Sequence, residues 1–260
     1  MSTTSSTHRA IDAVWRIESA RVIAGLARML RDLDLAEELA QDALVAALET
    51  WPRDGVPDNP GAWLMTTAKR RAIDRLRRLQ LLDRKHEELA RELEDIQDER
   101  RSRDEDALDH DIDDDLLRLV FVSCHPVLSM DARVALTLRL LCGLTTDEIA
   151  RAFLAAEPTV AQRIVRAKRT LAEADVAFEV PRGDALQERL ASVLGVVYLV
   201  FNEGYAATSG DDWVRPALCE EALRLGRMLA ALTPREPEVH GLVALMEIQA
   251  SRLHARVGKG

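Results

Sequence analysis

The chain has 260 residues, a formal net charge of −9 and a hydrophobic fraction of 47%, enough apolar material for one large domain or two to three smaller cores. Tryptophan, tyrosine and phenylalanine together make up only 4% of it, and alternating β-branched runs are nearly absent. This excludes a sheet architecture and predicts an all-α fold. Cys124, Cys142 and Cys219 show no paired spacing and follow no apolar leader, so neither a disulfide framework nor export is indicated and a cytoplasmic setting is expected. The longest apolar run, LASVLGVVYLVF at 190–201, falls short of the roughly 18 residues of a membrane span. It reads as a buried helix, and no membrane partner is expected.

The charge is unevenly placed. Residues 81–115 hold 16 acidic and 6 basic side chains, a net of −10, which leaves +1 on the other 225 residues. The overall acidity therefore does not exclude a nucleic-acid partner. Two basic clusters flank the acidic segment: AKRRAIDRLRR at 68–78, and Arg163, Arg166, Lys168 and Arg169 in PTVAQRIVRAKRT at 158–170.

In chain order, the polar stretch 1–8 is expected to be disordered. A helical block at 9–80 follows. In it LDLAEELAQDALVAALETW (33–51) repeats apolar residues at helical steps, with Glu37, Glu38, Gln41 and Asp42 on the polar face. PRDGVPDNPG (52–61) breaks that helix, and the next starts near Gly61 or Ala62. On this next helix Leu64, Ala68, Ala72 and Leu76 form the inner face. Trp63, Thr66, Thr67, Arg70 and Arg77 lie outside, with Lys69 in the same basic run. An aromatic ring among cations suits a single strand, whose bases stack while arginines follow the phosphates. The segment 81–115 has no sustained apolar stripe and reads as an acidic linker.

A third stretch, 116–175, contains a helix-turn-helix pattern. Thr145 and Glu148 stand at capping-box spacing, a short turn without glycine follows, and Pro158 suits the first turn of a second helix. On that helix Val160, Ile164, Ala167 and Leu171 form one apolar stripe, while Thr159, Gln162, Arg163, Arg166, Arg169 and Thr170 collect opposite it. A cationic, amide-bearing outer face is what lets a helix read the major groove. The last block, 184–260, predicts helices near 185–201, 213–232 and 237–256. Cys124 beside His125 has no partners at ligand spacing and reads as packing. Asn202, Glu203, Gly204 and Tyr205 read as an interhelical loop, with Gly204 for the turn. No catalytic residues, metal site or cofactor are expected, and the chain is not read as an enzyme.

The order of these parts resembles the extracytoplasmic-function class of RNA polymerase sigma factors. AEELAQDALVAALETWP resembles sigma region 2.2, NPGAWLMTTAKRRAIDRLRR regions 2.3 and 2.4, and ARVALTLRLLCGLTTDEIARAFLAAEPTVAQRIVRAKRTL the region 4 helix-turn-helix. The last block is similar to the tetratricopeptide-type extension of one subgroup. The resemblance implies core RNA polymerase and promoter DNA as partners. Glu37, Glu38, Gln41 and Asp42 would meet the polymerase. Trp63, Thr67, Lys69, Arg70 and Arg77 would take the melted minus-ten strand. Thr159, Gln162, Arg163, Arg166 and Arg169 would read the minus-thirty-five duplex. The extension is expected to be a shortened array or to pack on the sigma domains, and to regulate them by covering a binding face. The alternative is a free-standing helix-turn-helix regulator with a helical sensing domain.

Overall fold

The computed structural model describes residues 3–82, 105–205 and 216–252. Among them the secondary structure is helical without strands: α1 (Thr3–Leu30), α2 (Leu33–Asp54), α3 (Pro60–Leu82), α4 (Glu105–Ser123), α5 (Met130–Leu140), α6 (Thr146–Ala152), α7 (Glu157–Glu173), α8 (Asp184–Tyr205), α9 (Pro216–Leu232) and α10 (Pro237–Ala250). The all-α expectation holds. Contacts divide the chain into two compact units, Met1–Leu116 and Leu117–Gly260. Most of the acidic linker expected at 81–115 lies outside the described residues.

In the first unit α1, α2 and α3 pack on one another, and small side chains make the close contacts. Ala24, Ala27, Ala36, Ala40, Ala43, Ala47, Ala68 and Ala72 are all buried. Alanine is the strongest helix former and loses no rotamer entropy, so an alanine-lined seam lets helices approach closely at little cost. Ile23, Leu26, Leu39, Trp51 and Leu64 fill the space between the seams. α1 starts at Thr3, within the stretch expected to be disordered. Extending a helix already anchored by the buried Ile11 needs no new nucleus.

Caps fix the ends of these helices. The Asp32 carboxylate accepts from the Asp34 and Leu35 amides at 2.9 and 3.0 Å, starting α2. α2 continues through Pro52 to Asp54, past the expected break, and ends at Gly55 with φ 87°. A proline in a last turn removes a single backbone bond. The Asn59 side chain accepts from the Ala62 amide at 3.0 Å, so α3 starts at Pro60, slightly earlier than its sequence suggests. A Cβ on Gly61 would stand 2.7 Å from Glu18 Oε2. Glycine there admits a carboxylate to the N-terminal end of α3, where the helix dipole favours it. Asp115, the last acid of the acidic segment, is buried with Oδ2 2.9 Å from Arg28 Nε.

In the second unit, α5 and α6 pack with α7, and α8 packs on α5 and α9. Both bonds of the capping box form: the Thr145 hydroxyl accepts from the Glu148 amide at 3.2 Å, and Glu148 Oε2 accepts from the Thr145 amide at 2.8 Å. The glycine-free turn closes as a Schellman motif. The Ala155 amide donates to the Ala150 carbonyl and the Leu154 amide to the Arg151 carbonyl, with Leu154 left-handed at φ 49° where glycine is the usual occupant. The stripe Val160, Ile164, Ala167 and Leu171 is buried as expected.

The last block does not stand apart from these helices. Arg189 Nη2 donates to the Phe121 carbonyl at 2.8 Å, the Ser192 hydroxyl to the Cys124 carbonyl at 2.6 Å, and Arg224 Nη2 to the Leu141 carbonyl at 2.7 Å. Carbonyls at the ends of α4 and α5, which a helix leaves unpaired, are thus satisfied by side chains of α8 and α9. Arg133 of α5 answers with bonds to Ser192 Oγ and to the Pro126 and Leu128 carbonyls. Between these ties Val120, Cys124, Thr137 and Leu141 line one small apolar void together with Val193, Val197, Leu225 and Leu229.

Residues 202–205 correct the loop reading: they belong to α8, which extends to Tyr205. Tyr205 stacks on Phe201, with ring centroids 5.7 Å apart. Gly204 serves close approach rather than a turn, since a Cβ there would lie 2.7 Å from the Cys219 backbone nitrogen and 2.9 Å from Leu218 Cβ. Gly204→Ala is therefore expected to destabilise by about 1–3 kcal/mol through overpacking. Gly241→Ala, with nothing within 4 Å of its Cβ, is expected to stabilise by about 0.5–1 kcal/mol. Urea denaturation of the two variants would show midpoints moving in opposite directions.

Candidate nucleic-acid interface

The buried stripe of α7 fixes which side chains face outward. Thr159, Gln162, Arg166 and Arg169 are exposed, and neither Arg166 nor Gln162 forms an ion pair or hydrogen bond with another described residue. Arg169 Nε lies 2.7 Å from Glu173 Oε1, with both side chains more than half exposed. Such a pair costs little to open. Arg163 differs from the rest: only 32% exposed, it is drawn back to Asp131 on α5, Nη2 to Oδ2 3.2 Å. Four of the five predicted duplex-reading residues therefore share an open face, and the fifth is tethered at its margin. Among the described residues, Thr159, Gln162, Arg166 and Arg169 stay exposed beside α8–α10. α8 and α9 hold the opposite side, through α4 and α5.

On the first unit, Arg70 and Arg77 are exposed, while Thr67 and Lys69 are half-buried. Trp63 is half-buried and meets Trp51 edge-on, with centroids 5.3 Å apart and planes at 70°. One edge of its ring is thus held by the core, which orients the remainder. Trp63, Thr67, Arg70 and Arg77 fall at i, i+4, i+7 and i+14, along one side of α3.

The predicted polar face of α2 needs correction at Glu37, which is 5% exposed, with Oε1 accepting from Gln41 Nε2 at 2.7 Å. It sits between Ala36 and Ala40, whose tight seam carries its neighbour inward. Asp42 is also engaged: its carbonyl accepts from Arg71 Nη1 at 2.6 Å, with the carboxylate 3.6 Å from the same atom. Glu38 remains exposed, and with Gln41 it flanks Val45 and Leu48, which are 49% and 38% exposed. These two apolar residues were not picked out from the sequence. Their signal was there, since Gln41, Val45 and Leu48 keep helical spacing off the buried stripe.

Cys124 is packing rather than chemistry. Its Sγ lies 3.3 Å from Thr137 Oγ1, and burial pushes its thiol up to about 11, against the lowering effects of the Thr137 bond, Arg133 and Arg189. Burial, then Arg189 and Arg133, lower the pKa of His125, whose Nδ1 accepts from the Val127 amide at 3.1 Å. Among the described residues no cluster of three or more His, Cys, Asp or Glu could hold a metal ion, and no helix is long and apolar enough to cross a membrane.

Family models match three stretches of the chain: Sigma-70 region 2 over residues 16–81, Sigma-70, region 4 over 118–171, and a family of unknown function (DUF6596) over 189–260. The chain is a sigma factor of the extracytoplasmic-function type. α1–α3 are its region 2, α5–α7 lie within its region 4, and α8–α10 are a C-terminal extension. An uncharacterized protein of Rhizobium meliloti (strain 1021) is 44% identical over 237 residues, which cover 91% of this chain and 55% of the relative. The sigma factor thus spans little more than half the length of that relative. No solved structure matches it.

All three thiols of the sigma factor are buried and free. Cys124 and Cys219 both titrate at about 11 in the folded state, Cys219 through burial and then Glu220, against an ordinary 9.0. Their contribution to stability is intact below pH 9 and is lost as pH climbs toward 11, because the unfolded chain ionises first. Titration with a thiol reagent at pH 8 is expected to label none of the three until denaturant unfolds the protein. Urea midpoints are expected to fall between pH 9 and 11.

Proposed function

We propose that the protein binds core bacterial RNA polymerase and directs it to promoters, region 4 taking the minus-thirty-five element as duplex and region 2 the opened minus-ten strand. The observation that carries this reading is the outward face of α7. Arg166 and Gln162 stand clear of carboxylate partners among the described residues, and Arg169 is held only by an exposed pair with Glu173, at the places where guanine edges, adenine edges and phosphates would meet them. Region 2 adds the means to hold a melted strand. Each base lifted from the duplex can gain a stacking contact of about 1–3 kcal/mol on an aromatic such as Trp63, whose ring is pre-oriented by Trp51. Arg70 and Arg77 would follow the phosphates, giving affinity that weakens with salt.

Polymerase docking is assigned to the α2 face of Glu38, Gln41, Val45 and Leu48. Exposed apolar side chains rimmed by polar ones have the composition of a protein-binding patch, and Val45 and Leu48 supply the desolvated centre that the acidic residues lack. The extension is assigned a supporting role. It completes the core behind α5, so changes in it would reach the reading helix through α5 rather than by covering it.

Run-off transcription with core polymerase on a library of random upstream DNA tests the reading, which predicts selection of a minus-thirty-five and a minus-ten motif. Strong duplex binding without polymerase, and no transcript with it, would favour the free-standing regulator. Val45→Asp and Leu48→Asp are each expected to weaken association with core enzyme about tenfold or more while leaving the helical circular-dichroism spectrum and urea midpoint in place. Arg166→Ala is expected to leave polymerase association unchanged and to alter the selected minus-thirty-five motif.

A further inference from the structure

We propose that Val165 is a specificity-determining residue of the recognition helix, and that it reads the C5 methyl group of a thymine in the minus-thirty-five element. This rests on the promoter reading above and adds a base identity to it.

Val165 is 58% exposed, although α7 already buries a complete apolar stripe elsewhere. Gln162, Val165, Arg166 and Arg169 fall at i, i+3, i+4 and i+7, which places them on one face of the helix, and all four are exposed. The valine therefore lies within the length of the polar reading surface, on the flank beside Gln162 and Arg169 and away from Arg163. Nothing in the fold requires it there. A β-branched residue lowers helix propensity relative to alanine, lysine or glutamine, and Val165 is not part of the buried stripe. Arg163, the nearest alternative reader on the other side of Gln162, is tethered to Asp131, which leaves the Val165 side of the helix the less constrained one.

The chemistry of the groove selects the ligand. In the major groove the base edges offer hydrogen-bond donors and acceptors, with one aliphatic group among them, the thymine methyl. A glutamine or arginine has many partners there, whereas an isopropyl group has one that gains from contact. Cytosine at that position would place an amino donor against the valine and leave it without a partner, which costs affinity.

The test uses the full sigma factor with core polymerase, on a promoter selected from the random library. Each thymine of the minus-thirty-five element is replaced in turn by deoxyuridine, which removes only the methyl group, and binding is measured for the wild type and for Val165→Ala. At one thymine the wild type is expected to lose about fourfold in affinity, the worth of one buried methyl. The alanine variant is expected to be weaker on thymine but indifferent to deoxyuridine at that position. The side chain faces solvent and alanine favours the helix, so the variant folds. Wild-type binding that ignores deoxyuridine at every thymine, or an alanine variant that keeps the same sensitivity, overturns the assignment while leaving promoter recognition intact. Failure to select any minus-thirty-five motif overturns the promoter reading, and this assignment with it.

Discussion

Turning α7 by a single residue position, about 100° around its axis, would bury Arg163 and Arg166 in one direction or Lys168 in the other, and bring Val160, Ile164, Ala167 and Leu171 out of the core. Four buried aliphatic side chains, each worth roughly 1–3 kcal/mol against exposure, prevent that rotation. The cationic face owes its direction to this apolar stripe and not to any bond of its own. The capping box at Thr145 and the Schellman turn at Leu154 fix where α6 begins and ends, and so the angle from which α7 leaves.

Region 2 relies on a different economy. Its helices meet through alanines, so the backbones come close while long side chains are left at the margins. That arrangement explains why α2 and α3 present so many outward groups, and why Arg71 on α3 can reach the backbone of α2 at Asp42. It also explains the Trp51–Trp63 contact, in which one ring completes the core and steadies its half-buried neighbour.

Period and capping made much of this legible. The α7 stripe, the Thr145–Glu148 box and the inner face of α3 followed from spacing, because a helix repeats every 3.6 residues and its ends leave donors that particular side chains answer. What escaped was tertiary. The burial of Glu37 depends on how tightly a neighbouring alanine seam closes. The role of Gly204 depends on a helix 15 residues further along, since glycine marks close approach and turns with the same letter. Leu154 adopts a left-handed backbone that its side chain does not advertise. Packing of the extension on the sigma domains was one of two expectations, and the sequence did not decide between them, as amphipathic stripes say that a face is covered but not by what.

That joint core bears on how such a chain could be recombined. Arg189, Ser192 and Arg224 serve as terminators for helices some 70 to 80 residues upstream, so the boundary between the stretches 116–175 and 184–260 is not a seam along which parts can be exchanged. A chimaera that borrowed only the reading helices would inherit frayed ends and an open apolar flank. Replacing the reading helices therefore calls for replacing the appendage that terminates α4 and α5.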